Sequence, residues 1–167
     1  MSTANRGSRN QQVGRAGELF VAAELNKRGA IATLYLTSTP RVDVVATDPG
    51  QHKSVSIQVK TKGPKSKVWQ ANIEKLCFES ENAGKSDILI LVDLGDDERG
   101  PTYYVCPLRQ FAAQHMEKHN KYLAAHAGKR PRNPRSPHTS ITMDEVSQWQ
   151  GRWDLLQVLP TRQASDT

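Results

Sequence analysis

The run Arg41-Val42-Asp43-Val44-Val45-Ala46-Thr47-Asp48-Pro49-Gly50-Gln51-His52-Lys53-Ser54-Val55-Ser56-Ile57-Gln58-Val59-Lys60-Thr61 decides the fold. Two apolar-rich stretches flank Asp48-Pro49-Gly50-Gln51, where Pro presets φ and Gly is free to take φ > 0. This predicts strands over 41–47 and 53–61 joined by a tight turn. In the second strand Val55, Ile57 and Val59 face the core, and Ser54, Ser56, Gln58 and Lys60 share the other face. The first strand carries Asp43 inside an apolar run. Desolvating an unpaired carboxylate costs several kcal/mol, so Asp43 needs a partner: Arg41, a backbone amide at the strand edge, or a functional group. If the turn closes an antiparallel hairpin, Asp43 lies opposite or diagonal to Ser56 and Gln58, on the face of Lys60. Diagonal cross-strand neighbours lie within about 7–8 Å. A carboxylate, an amide oxygen and an ammonium would then converge where one ion or phosphate could touch all three. The plainer alternative is an amphipathic strand with a solvated polar face and a surface ion pair worth under about 1 kcal/mol.

Toward the N-terminus, residues 11–28 read as a helix closed by Gly29 as its C-terminal cap. Its interior is rich in Ala, Leu, Val and Phe, which argues for burial on more than one side. Glu18 lies on an otherwise apolar side with Val21, Ala22 and Leu25. Two readings stay open: an acid aimed at the sheet, or a Glu reaching solvent or pairing with Arg15. Residues 30–36 form an apolar strand that stops before Thr37-Ser38-Thr39-Pro40.

Toward the C-terminus the pattern predicts a loop over 62–67 and a short strand over 68–73. A continuous apolar strand over 87–94, buried on both faces, comes next. Residues 95–101 form a turn and 102–106 another strand. Pro107 opens a helix running to about residue 127. Residues 128–140 read as an irregular basic loop, 143–150 as a short helix, and 153–158 as a segment packing back on the core. The order is α/β: one domain built on a mixed central β-sheet flanked by helices. Residues 1–10 read as a flexible basic arm, 11–160 as the domain and 161–167 as a flexible tail.

The 167 residues suit one domain of ordinary size. The longest apolar run, Ile88 to Val92, is far short of the ~20 residues a membrane span needs. The first dozen residues are polar and lack the apolar centre of a secretion signal. Cys77 and Cys106 sit among apolar neighbours without metal-ligand spacing and read as buried thiols in a reducing, cytoplasmic setting. With 23 Lys and Arg against 17 Asp and Glu, the net charge is +6. The basic residues cluster at Arg6, Arg9 and Arg15; at Lys53, Lys60, Lys62, Lys65 and Lys67; and at Lys129, Arg130, Arg132 and Arg135. Three clusters around one strand pair favour a nucleic acid as partner.

Gly17-Glu18, Val21-Ala22-Ala23-Glu24-Leu25, Gly29, Arg41-Val42-Asp43-Val44-Val45-Ala46 and Ile57-Gln58-Val59-Lys60-Thr61 together resemble the PD-(D/E)xK nuclease superfamily. The likeness is to its small bacterial endonuclease-like and Holliday-junction-resolvase-like members. It spans residues 14–61, more weakly 87–107. The resemblance implies a restriction-endonuclease-like fold and a metal-dependent DNA endonuclease using Mg²⁺ or Mn²⁺. It implies Asp43 as the metal-binding Asp, Gln58 at the second acidic position, Lys60 as the motif lysine and Glu18 as the helix acid. The metal would be held by Glu18, Asp43, the Gln58 oxygen and the Val59 carbonyl. Gln58 departs from the family pattern: an amide oxygen ligates a hard cation but brings no charge. DNA would be gripped by Lys62, Lys65, Lys67, Lys129, Arg130, Arg132 and Arg135, through salt-sensitive phosphate contacts. A homodimer is implied, since cutting two strands usually takes two sites. The alternative is a catalytically inactive DNA-binding or interaction module on the same fold. A small-molecule enzyme of α/β type is a third reading.

Two further patterns are read as structural. His115 and His119, four apart, lack a third zinc ligand and are assigned to a solvated helix face. Trp149 and Trp153 are assigned to the core.

Overall fold

The computed structural model describes residues 3–35, 42–82, 87–96, 98–126, 128 and 136–160. Helix α1 (Thr3–Lys27) precedes strands β1 (Ile31–Leu34), β2 (Val44–Thr47), β3 (Ser54–Lys62) and β4 (Trp69–Asn72). Helix α2 (Ile73–Glu81), strands β5 (Ile88–Asp93) and β6 (Thr102–Pro107), helix α3 (Leu108–Ala125) and strand β7 (His138–Ile141) follow. Short 3₁₀ helices at Asp144–Trp149 and Trp153–Leu155 close the domain.

The sheet runs β1-β2-β3-β5-β6. All its pairs are antiparallel except β3 with β5, which are parallel. This is the mixed sheet flanked by helices that the sequence predicts. A parallel neighbour needs a crossover rather than a hairpin, and β4 with α2 supplies it. The sheet divides the core in two. Ile88, Ile90 and Val92 of β5 pack with Val21 and Leu25 of α1 and with Val44, Val55 and Ile57. Leu89 and Leu91 pack on the other side with Leu76 of α2 and Phe111 and Ala112 of α3. Strand β5 is buried on both faces, as its unbroken apolar run implies.

Several expectations need correction. Helix α1 begins at Thr3, so the described part of the anticipated arm is helical. No proline interrupts residues 3–27, and Gly7 and Gly14 meet no obstacle, so nothing stops the helix from continuing outward. In the β2–β3 turn the positive φ falls on Gln51, at 58°, not on Gly50. Asp48 organises that turn: its carboxylate accepts the Lys53 N–H at 2.6 Å, and its carbonyl accepts the Gln51 N–H at 2.8 Å. The basic loop over 128–140 ends in a strand, because β7 pairs antiparallel with β4 to make a separate two-stranded sheet. Helix α2 was not anticipated. Asn72 caps it by accepting the Lys75 N–H at 2.9 Å.

His115 is also corrected. It is 1% exposed and stacks on Phe111 with ring centroids 4.1 Å apart. One turn beyond Phe111, it lies on the stripe that α3 buries. Trp149 and Trp153 are buried as expected. Cys106 is buried, Cys77 only partly, and both are free thiols. Among the described residues no helix is long and apolar enough to cross a membrane.

Candidate functional site

The β2–β3 register pairs Val44 with Ile57 and Val45 with Ser56. One step further brings Asp43 beside Gln58. The Asp43 N–H donates to the Ile57 carbonyl at 2.9 Å, while its own carbonyl accepts from Tyr35 N–H at 3.0 Å. β2 ends here but β3 continues to Lys62. The next β3 amide that points toward β2 belongs to Val59, and Asp43 Oδ2 accepts it at 2.7 Å. This answers where a carboxylate in an apolar strand finds its partner. The carboxylate replaces a missing ladder bond.

Asp43 holds its proton more tightly than an ordinary carboxyl group. Burial is the main cause, the Val59 bond works against it, and the nearby negative charge of Glu18 adds to it. The positive charges of Lys60 and Lys75 partly compensate. Lys60 has the opposite problem. Burial depresses its pKa, Lys75 presses in the same direction, and the Glu79 and Asp43 carboxylates oppose them. Asp43, Lys60, Lys75 and Glu79 thus share one electrostatic neighbourhood.

Gln58 lies on the polar face of β3, but that face is not solvated. It is 6% exposed, and its Nε2 donates to Glu79 Oε1 at 2.9 Å. Glu79, on α2, is 1% exposed, with Lys75 Nζ 3.5 Å from the same carboxylate. Gln58 Oε1 and Glu79 Oε2 are buried without a hydrogen-bond partner. Such orphaned oxygens are uncommon in native interiors. The crossover helix contributes to this burial: Glu79 reaches from α2 to meet the Gln58 amide.

Glu18 is partly buried on α1 and accepts from Arg15 Nη1 at 2.7 Å. The Arg15 reading is therefore realised, while Glu18 still acts on Asp43 through its charge. The turn before it packs closely: a side chain at Gly17 would collide with Thr61 of β3. Val59 lies between Gln58 and Lys60 and gives its amide to Asp43.

The predicted phosphate-gripping residues separate. Lys65 and Lys67 are exposed on the loop after β3. Lys62 is not available to a nucleic acid and is corrected. It is 6% exposed, its ammonium lies 2.5 Å from Asp93 Oδ2, and it sits 5.0 Å from the Trp69 ring centroid. It is also a partner for the Ser66 carbonyl at 3.3 Å. The β3–β5 pairing places Lys62 beside Asp93, and burial makes the pair form. Lys129, Arg130, Arg132 and Arg135 lie outside the described residues.

The sequence patterns above single out neither Glu79 nor Lys75. A signal existed. Asn72 opens a capped helix, and Ile73, Leu76 and Glu79 recur every three residues on its buried side.

Among the described residues no three His, Cys, Asp or Glu side chains group closely enough to hold a metal ion by themselves. The donor chemistry nonetheless fits a hard divalent cation. Asp43 and the two orphaned atoms, Gln58 Oε1 and Glu79 Oε2, offer oxygen only, the ligand type of Mg²⁺ and Mn²⁺.

The chain matches no protein-family model and no curated protein. Among solved structures it is similar to the Holliday junction resolvase Hjc of Archaeoglobus fulgidus, at 20% sequence identity and a TM-score of 0.41. That match covers 57% of this chain and 73% of the resolvase.

Proposed function

We propose that this protein is a metal-dependent endonuclease acting on DNA, with Asp43, Gln58, Lys60 and Glu18 as its working residues. The observation that carries the reading is the convergence of Asp43 and Lys60. Two opposite charges on adjoining strands are both desolvated, and each enters the other's electrostatics. Burying either charge is costly, and perturbed groups of this kind mark sites of chemistry more often than ordinary surface pairs.

Hydrolysis of a phosphodiester adds water to phosphorus, breaks one P–O ester bond, and returns a proton to the departing alkoxide. The barrier lies in charge gathering on the phosphate oxygens. A Mg²⁺ or Mn²⁺ held by Asp43, the Gln58 oxygen, the Val59 carbonyl and Glu18 would supply Lewis acidity and acidify a bound water. Lys60 orients the attacking water and offsets charge on the phosphate. Asp43 is held in place by the Val59 amide, so its free oxygen has a defined direction. Lys65 and Lys67 hold the DNA backbone without reading bases. A homodimer would present two such centres to the two strands.

A catalytically silent DNA-binding module is the second reading. It is favoured by one observation: the Glu18 carboxylate is already engaged by Arg15. Incubation of supercoiled plasmid and four-way junction DNA with Mg²⁺ or Mn²⁺ decides between them. The enzyme reading expects nicked product that disappears in Asp43→Asn and Lys60→Ala. DNA binding with identical background cleavage in all three proteins establishes the silent module.

A further inference from the structure

We infer that Glu79, on the crossover helix, supplies the carboxylate that Gln58 does not, so that the cation-binding pair of this site is split between β3 and α2. The inference rests on the nuclease reading above and specifies its donor set. Two observations carry it. Gln58 and Glu79 are joined by a 2.9 Å hydrogen bond at 6% and 1% exposure. Each keeps one buried oxygen, Gln58 Oε1 and Glu79 Oε2, with no donor.

Chemically, the amide–carboxylate pair is unbalanced. The amide spends its donor on the carboxylate, and two buried oxygens are left without a donor. Lys75 addresses Oε1, the oxygen Gln58 already bonds, and leaves Oε2 unpaired. A divalent cation, which prefers oxygen donors, would give these orphaned oxygens a partner and offset the Glu79 charge. Glu18 is less suited to this task, because Arg15 already holds it at 2.7 Å. A carboxylate on α2 at this position has the same charge and donor type as one on β3 at position 58. The difference is only which backbone carries it.

The test uses full-length protein and Mn²⁺ alone, followed by the paramagnetic signal of free Mn²⁺ and by the rise in melting temperature on adding Mn²⁺. Wild type, Asp43→Asn, Glu79→Gln, Gln58→Glu and the exchange variant Gln58→Glu/Glu79→Gln are compared. Glu79→Gln is expected to weaken Mn²⁺ binding at least tenfold and to lower plasmid nicking about a hundredfold. The exchange variant, with the carboxylate moved to the strand, is expected to regain most of both. A Glu79→Gln protein that binds Mn²⁺ like wild type while Asp43→Asn does not would overturn the inference and leave the nuclease reading standing. An exchange variant no better than Glu79→Gln, though folded, would also overturn it, since Glu79 would then be structural. Failure of wild type to bind Mn²⁺ would overturn both.

Discussion

Asp43 accepts the Val59 amide hydrogen at 2.7 Å, at the point where β2 ends and β3 goes on alone. One side chain therefore does two things. It finishes a hydrogen-bond ladder that the backbone leaves open, and it fixes the direction of a desolvated carboxylate.

That geometry separates activity from stability at position 43. Asn keeps an oxygen for the Val59 amide but removes a charge that burial and Glu18 both disfavour. Asp43→Asn should therefore abolish metal-dependent nicking and raise the melting temperature, by on the order of 1 kcal/mol in stability. Because the native carboxyl pKa lies above its ordinary 3.8, ionising Asp43 opposes folding as pH rises past that value. The gain should therefore be present at pH 7 and vanish in acid. Thermal melts of the two proteins at pH 7 and pH 4 check this.

Lys62 and its neighbours should behave as different kinds of lysine. Removing the Lys62 ammonium leaves the largely buried Asp93 carboxylate the Gly95 N–H at 3.1 Å but takes away the cation on its other oxygen, and Lys62→Ala should cost about 3–5 kcal/mol in urea unfolding. Lys65→Ala/Lys67→Ala should leave stability nearly unchanged. It should reduce the slope of log binding constant against log salt for DNA by about 2. An unchanged slope would remove this loop from the DNA interface.

The α1–β3 contact depends on the missing side chain at position 17. A methyl group there overlaps Thr61, whose buried hydroxyl has no partner. Gly17→Ala should cost about 1–3 kcal/mol by overpacking. Thr61→Ala should recover much of that loss in the double variant. Additive costs in this double-mutant cycle would show that the two positions do not meet.

His115 gives the fold an acid sensitivity away from the site. Burial holds its pKa below the ordinary 6.5, and Phe111 O lies 3.0 Å from Nδ1. The unfolded chain takes up the proton first, so this residue costs stability as pH falls through about 6.5, down to its lower folded value. Wild type should lose more stability than His115→Leu between pH 7.5 and pH 5. Parallel pH curves would contradict this.

The strands 53–61 and 87–94, the turn between them and β2, and the core tryptophans were legible because alternation, turn chemistry and apolar runs are local properties of a chain. The faces of Asp43, Gln58 and Lys60 followed from the same period of two. What lay over those faces was not local. Gln58 meets Glu79, twenty-one residues on, and the crossover required by the parallel pairing of β3 with β5 carries the helix that bears it. The same pairing buries Lys62 against Asp93, although its spacing in the sequence matches that of its exposed neighbours. β4 finds β7 nearly seventy residues away, a partnership no local pattern encodes. Periodicity tells a side chain which way to point. Whether it then meets water, a carboxylate or a hydrophobic wall is decided by remote segments, and burial sets the cost of a charge only after they have arrived.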